Sequence, residues 1–178
     1  KKISSIINGI SKLPSSISHI LNNESEIRKL SDKMSVFSNI LYLGRGINIS
    51  TALEGALKMK EIAYLHAEGY PAGEMKHGVN ALLGSKMPTI IIVPEDELFE
   101  KNLGTINEVK ARGSKTLVIT DSNSNDLSRL SDDLIVVPKI NNFLSPILFI
   151  VVLQIIAYHT AIILGLDPDK PRNLAKTV

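Results

Sequence analysis

The feature that most constrains this chain is a rhythm. Short runs of branched apolar residues recur, and each is followed by a stretch with helical periodicity. The runs lie at 39–43, 88–93, 116–120 and 134–137, and the first is stopped by Gly44-Arg45-Gly46. Between them, the spacing predicts helices at about 50–67 and 95–112. Glu74 opens a shorter one after a loop rich in glycine and proline (Gly69, Pro71, Gly73). Strands buried on both faces carry continuous apolar runs, and helices that alternate with them cover a parallel sheet on its two sides. The expected class is therefore α/β, a doubly wound, mostly parallel sheet flanked by helices. Before it, residues 1–36 read as a helical connector. Ile3, Ile6, Ile7 and Ile10 mark one amphipathic segment, Pro14 opens a second helix at its first turn, and Ile27 and Leu30 mark a third.

One segment passes the usual length test for a membrane span. Residues 142–166 contain no Asp, Glu, Lys or Arg, and 148–153 are apolar without interruption. Pro146, Gln154, Tyr158 and His159 interrupt it, and the strands around it belong to a globular sheet. It is expected to be a helix fully buried against the sheet or a dimer partner. Apolar residues at 44% and charged residues at 21% fit a soluble domain with a sizeable core. The net charge of +2 is spread out and aromatics are only 4%, which argues against nucleic-acid binding. With no cysteine, thiolate chemistry and cysteine-ligated metals are excluded. The chain begins at Lys1 and its first segment lacks the apolar run of a signal peptide, so it is expected to be a piece of a longer polypeptide.

On the 50–67 helix, Glu54, Lys58 and Glu61 fall within about 60° of one another, while Ala52, Ala56, Met59 and Ala63 face the other way as core. The charged face reads either as solvated i,i+4 pairing or as a carboxylate base held beside an ammonium at the sheet's active, carboxyl edge. An imidazole can act as acid or base near neutral pH, which suits His77 to that role, although a lone surface histidine is commonly inert. Glu74 with His77, or His66 with Glu68, lacks a third and fourth ligand, so no metal site is expected. His19 reads as a surface residue and His159 as a core residue. On composition alone Lys176 is a solvated tail lysine.

Three blocks read together change this picture: residues 52–62 (ALEGALKMKEI), 66–68 with 73–78 (HAE and GEMKHG), and 171–176 (PRNLAK). In order and spacing they resemble the second sugar-isomerase (SIS) domain of the glucosamine-6-phosphate synthase family. Residues 37–178 correspond to that flavodoxin-like domain, and residues 1–36 to the helical connector before it. The resemblance implies a cytoplasmic, homodimeric enzyme that turns fructose 6-phosphate and glutamine into glucosamine 6-phosphate and glutamate without metal or organic cofactor. It implies that Lys176 forms a Schiff base with C2 of the open-chain sugar, with Ala175 beside it in the substrate site. Glu61 would shuttle a proton between C1 and C2, Lys58 would support the sugar hydroxyls, and His77 would assist ring opening from a neighbouring subunit. Val79 stands where the family pattern has proline. A first SIS domain with its Ser/Thr-rich phosphate cradle and a glutaminase domain are missing from the chain, so the chain alone is expected to be inactive. A non-catalytic sugar-phosphate-sensing SIS module and a fructosamine deglycase are the alternatives. The 171–176 block favours the synthase.

Overall fold

The computed structural model describes residues 2–174. Five strands form one sheet: β1 (Asn39–Gly44), β2 (His66–Pro71), β3 (Thr89–Val93), β4 (Thr116–Thr120) and β5 (Asp133–Val136). Their order is β2-β1-β3-β4-β5 and every pairing is parallel. β3 and β4 are buried along their whole length. On one face lie α1 (Lys2–Asn22), α2 (Glu24–Ser35), α3 (Asn48–Lys58) and α6 (Ser145–Ile163), packed on Ile40, Tyr42, Ile90, Ile92, Leu117 and Ile119. The other face carries α4 (Phe99–Lys110) and α5 (Asn125–Leu130) over Leu41, Leu43, Ile91, Val93 and Val118. The doubly wound arrangement is the one expected from the alternating runs.

The sequence missed β2, reading it as loop. It is an edge strand that pairs only with β1, from His66 opposite Asn39 to Pro71 opposite Gly44. An edge strand needs no continuous apolar run and tolerates proline at its end. Gly69 is there because α3 crosses too closely for a side chain: a Cβ would lie 2.5 Å from the Leu53 Cα.

Three helix boundaries also differ from expectation. α1 runs unbroken through Pro14, which faces solvent, because Ser16 and Ile20 hold the helix to the core. The connector is therefore two helices, not three. The helix expected to reach Ala67 stops at Ala63, where the chain turns into β2. Residues 75–82 form two short 3-10 turns rather than an α-helix. The first of these ends at Gly78, whose φ of 137° suits glycine, and Val79 begins the second with its side chain buried.

α6 is long and apolar enough to cross a membrane, yet it packs on the sheet, α2 and α3 through Leu148, Phe149, Val152, Leu153, Ile156 and Ala157. It is buried on one side only, not fully: Ile147, Tyr158 and Ile162 remain exposed. α1 shows a similar uncovered stripe at Ile3, Ile7 and Ile10.

Candidate functional site

The direction of the chain decides where the charged face of α3 lies. β1 runs toward the carboxyl edge of the sheet, α3 returns antiparallel to it, and β2 starts again at the amino edge. Lys58 and Glu61 therefore stand at the amino edge, not at the carboxyl edge expected from sequence. Because β1 and β2 are parallel, the crossover helix between them must end at the amino edge, where β2 begins.

At that edge the backbone changes character. α3 continues as a π-helical turn, Met59–Ala63, and ends at Tyr64, whose φ of 57° and ψ of 21° are left-handed. Single π turns concentrate at functional sites, and a non-glycine left-handed residue carries strain of about 1–2 kcal/mol. Met59 and Ala63 point into the core with Ala52 and Ala56, as their spacing predicted. Lys58 and Glu61 point outward, with side chains 29% and 26% exposed. The Lys58 ammonium donates to Glu61 Oε2 and lies 3.5 Å from Glu54 Oε1. The hydrogen bond to Glu61 is the main influence holding the Lys58 pKa above its ordinary 10.5. Partial burial opposes it, and the charges of Glu61 and Glu54 add to it. Lys58 is thus a fixed cation at neutral pH and a poor nucleophile, while Glu61 is a carboxylate steered by it.

The far end of the chain returns to the same place. The Arg172 backbone N–H donates to the Tyr64 hydroxyl at 2.8 Å, and the Arg172 guanidinium carbon sits 4.2 Å from the centre of the Tyr64 ring. The 171–174 segment therefore meets the body three residues past Glu61. Ala175 and Lys176, expected in the site, lie outside the described residues.

His77 is elsewhere. It follows β2 at the carboxyl edge, so roughly the length of that strand, on the order of 17 Å, separates it from Glu61. Its side chain is 73% exposed, 3.7 Å from Glu74. Within one chain the fold brings Lys58 and Glu61 together and leaves His77 apart. Gly44-Arg45-Gly46 makes a tight turn, since a Cβ on Gly44 would lie 2.0 Å from the Asn48 carbonyl oxygen.

Sequence reasoning missed two features. The Tyr64–Arg172 contact joins residues 108 apart, and no periodicity reports such a pair. Asp121, read as part of a polar loop, is buried beside the end of β4, with one oxygen accepting from the Glu95 backbone N–H at 2.8 Å. Burial pushes its carboxyl pKa up.

A parallel sheet of order 2-1-3-4-5 with helices on both faces is a doubly wound, flavodoxin-like α/β domain. The SIS domain family matches residues 33–164, and the chain belongs to that family. Within it, the similarity is to the C-terminal part of glutamine–fructose-6-phosphate aminotransferases (isomerizing). The Rhizobium leguminosarum bv. viciae enzyme is 44% identical over 175 residues, covering 97% of this chain and 29% of that protein. The Thermococcus kodakarensis enzyme is 47% identical over 167 residues, covering 94% and 27%. Among solved structures, the C-terminal domain of glucosamine-fructose-6-phosphate aminotransferase from Francisella tularensis superposes with a TM-score of 0.86 at 35% identity, over 94% of this chain and 47% of that one. The chain thus spans less than a third of the length of these curated relatives.

Proposed function

We propose that this chain is the C-terminal isomerase half of a cytoplasmic enzyme that converts fructose 6-phosphate and glutamine into glucosamine 6-phosphate and glutamate. The observation that carries the reading is the half-buried Lys58–Glu61 pair on a π turn, with the 171–174 segment docked beside it. In this reading Lys176 attacks C2 of the open-chain ketose as the free amine and expels water, giving an imine. Ammonia then displaces the lysine by transimination and restores its amine. Glu61 takes the proton from C1 and returns it to C2, so that C1 becomes the aldehyde and C2 carries the amino group. Lys58 stays protonated throughout, steering the Glu61 carboxylate and meeting sugar hydroxyls. No metal or organic cofactor enters these steps.

The site is shared. His77 stands too far from Glu61 to serve its own chain, which supports a role in ring opening at a neighbouring subunit of a homodimer. The uncovered apolar stripes of α1 and α6 support contacts with the first SIS domain and a second copy. The Ser/Thr-rich phosphate cradle and the glutaminase would come from the rest of the relatives' length, with residues 1–36 as the connector and 37–178 as the catalytic unit. The chain alone makes no glucosamine 6-phosphate and binds fructose 6-phosphate weakly.

The test uses the full-length parent enzyme with fructose 6-phosphate and borohydride. Glu61→Gln forms the imine but cannot move the C1 proton, so mass spectrometry finds a reduced adduct at Lys176. Lys176→Arg, whose guanidinium stays protonated, gives no adduct while glutamine hydrolysis continues. An adduct on Lys58 or Lys60 overturns the assignment of the nucleophile. Binding without any adduct leaves the non-catalytic sugar-phosphate module.

A further inference from the structure

We infer that Tyr64 is a positioning residue: with Arg172 it forms a clasp that fixes the C-terminal tail relative to the π turn and so sets where Lys176 works. This rests on the reading of Lys176 as the nucleophile, and it adds a residue with no chemical step of its own.

Pro171, Arg172 and Asn173 each have a structural task. Pro171 fixes its own φ and limits the conformations open to the residue before it. Arg172 engages Tyr64 twice, through its backbone N–H to the hydroxyl and through its guanidinium over the ring. Asn173 turns the chain at a φ of 62°, a conformation asparagine tolerates better than most residues. Among the described residues, no other hydrogen bond ties 171–174 to the rest of the protein.

The anchor is built into the site's own backbone. Tyr64 takes a left-handed conformation right after the π turn that holds Glu61. A strained backbone at a chain reversal persists where surrounding contacts require it, and the inference runs from the strain to a task. Here the strain presents both the ring and the hydroxyl to the tail. Lys176 follows Arg172 by only four residues in sequence, and among the described residues the clasp is the hydrogen-bonded anchor nearest to it along the chain. Leu166 still packs on the core and donates its backbone N–H to the Ala161 carbonyl, so among the described residues beyond it the clasp is the one hydrogen-bonded tie of the tail to the body. Without the clasp, the effective concentration of the amine at C2 falls, as for any unanchored tether.

The test compares variants of the parent enzyme incubated with fructose 6-phosphate and borohydride, without glutamine, so that the imine is not consumed. Tyr64→Leu is expected to slow adduct formation at Lys176 by about tenfold, with the KM for fructose 6-phosphate moved less than twofold. Tyr64→Phe keeps the ring but loses the acceptor, and Arg172→Gln loses the cation. Each should give a smaller loss. Tyr64→Leu with Arg172→Gln should equal Tyr64→Leu alone, because both act through one contact. In the 178-residue chain itself, hydrogen exchange at the Arg172 amide should become fast in Tyr64→Leu while core amides in β3 and β4 stay protected.

Unchanged trapping in Tyr64→Leu, or full additivity of the double variant, overturns the clasp. If Tyr64→Leu does not fold, Arg172→Gln, on the exposed tail, decides the question by the same trapping rate. A wild-type enzyme with no adduct at Lys176 instead defeats the underlying assignment of the nucleophile, and the exchange measurement then still reports on the clasp.

Discussion

His159 Nε2 on α6 lies 2.7 Å from Glu24 Oε1 on α2, so the connector helix and the apolar helix are joined by a polar contact at the rim of a shared core. Beneath that contact Ile27, Met34 and Ile20 belong to the same cluster as Phe149, Val152 and Ile156. The second connector helix is therefore part of the domain's packing.

The packing of α2 on α6 should therefore contribute to the stability of the chain. Ile27→Ala is expected to destabilise the chain by about 2–5 kcal/mol, the range for a buried aliphatic truncation. Ile7→Ala, on the exposed stripe of α1, should change stability by less than about 0.5 kcal/mol. Urea unfolding followed by circular dichroism measures both. Equal effects would mean that α2 is an appendage.

Gly69→Ala should cost about 1–3 kcal/mol or more, because the new Cβ would meet the Leu53 backbone at 2.5 Å, and neither the edge strand nor α3 has room to yield. Gly104→Ala on α4, where a Cβ meets open space, should be neutral or stabilising. The comparison of thermal midpoints checks whether the glycine follows from the close approach of β2 to α3 or merely marks a loop.

The Lys58 pairing has a defined pH window. Its folded-state pKa is raised above the ordinary 10.5, so the folded protein holds this proton more tightly than the unfolded chain does. The contribution is fully present below about pH 10.5 and is lost as pH rises through the folded value. Lys58→Met should therefore be less stable than wild type by about 0.5–1 kcal/mol at neutral pH, with the gap constant to about pH 10 and closing as pH rises past the ordinary lysine value. Urea titrations across that range read it directly.

The exposed side of α6 predicts self-association. An apolar stripe that includes Ile147, Tyr158 and Ile162 is expected to pair two copies, so the chain should sediment as a dimer at about 50 μM. Tyr158→Glu with Ile162→Glu should sediment as a monomer with an unchanged circular dichroism spectrum. A wild-type monomer at that concentration would mean that the stripe does not pair two copies of this chain.

By itself, the sequence determined the elements that repeat. Continuous apolar runs specified β1, β3 and β4, which are covered on both faces, and a shorter run marked β5, an edge strand that is only partly buried. The 3.6-residue period of Ala52, Ala56, Met59 and Ala63 specified the inner face of α3, and so the grouping of Glu54, Lys58 and Glu61 on the outer one. Tertiary structure decided whatever depended on neighbours distant in sequence. β2 exists because β1 offers it an edge, and its glycine answers to α3. α1 stays whole through Pro14 because the core holds its inner side. The Lys58–Glu61 pair lies at the amino edge because the crossover carries the end of α3 there, and His77, which follows β2, lies at the opposite edge. The meeting of Tyr64 with Arg172 closes a loop of 108 residues. Contacts that close such long loops are settled by the packing of the whole chain, and local pattern carries no trace of them.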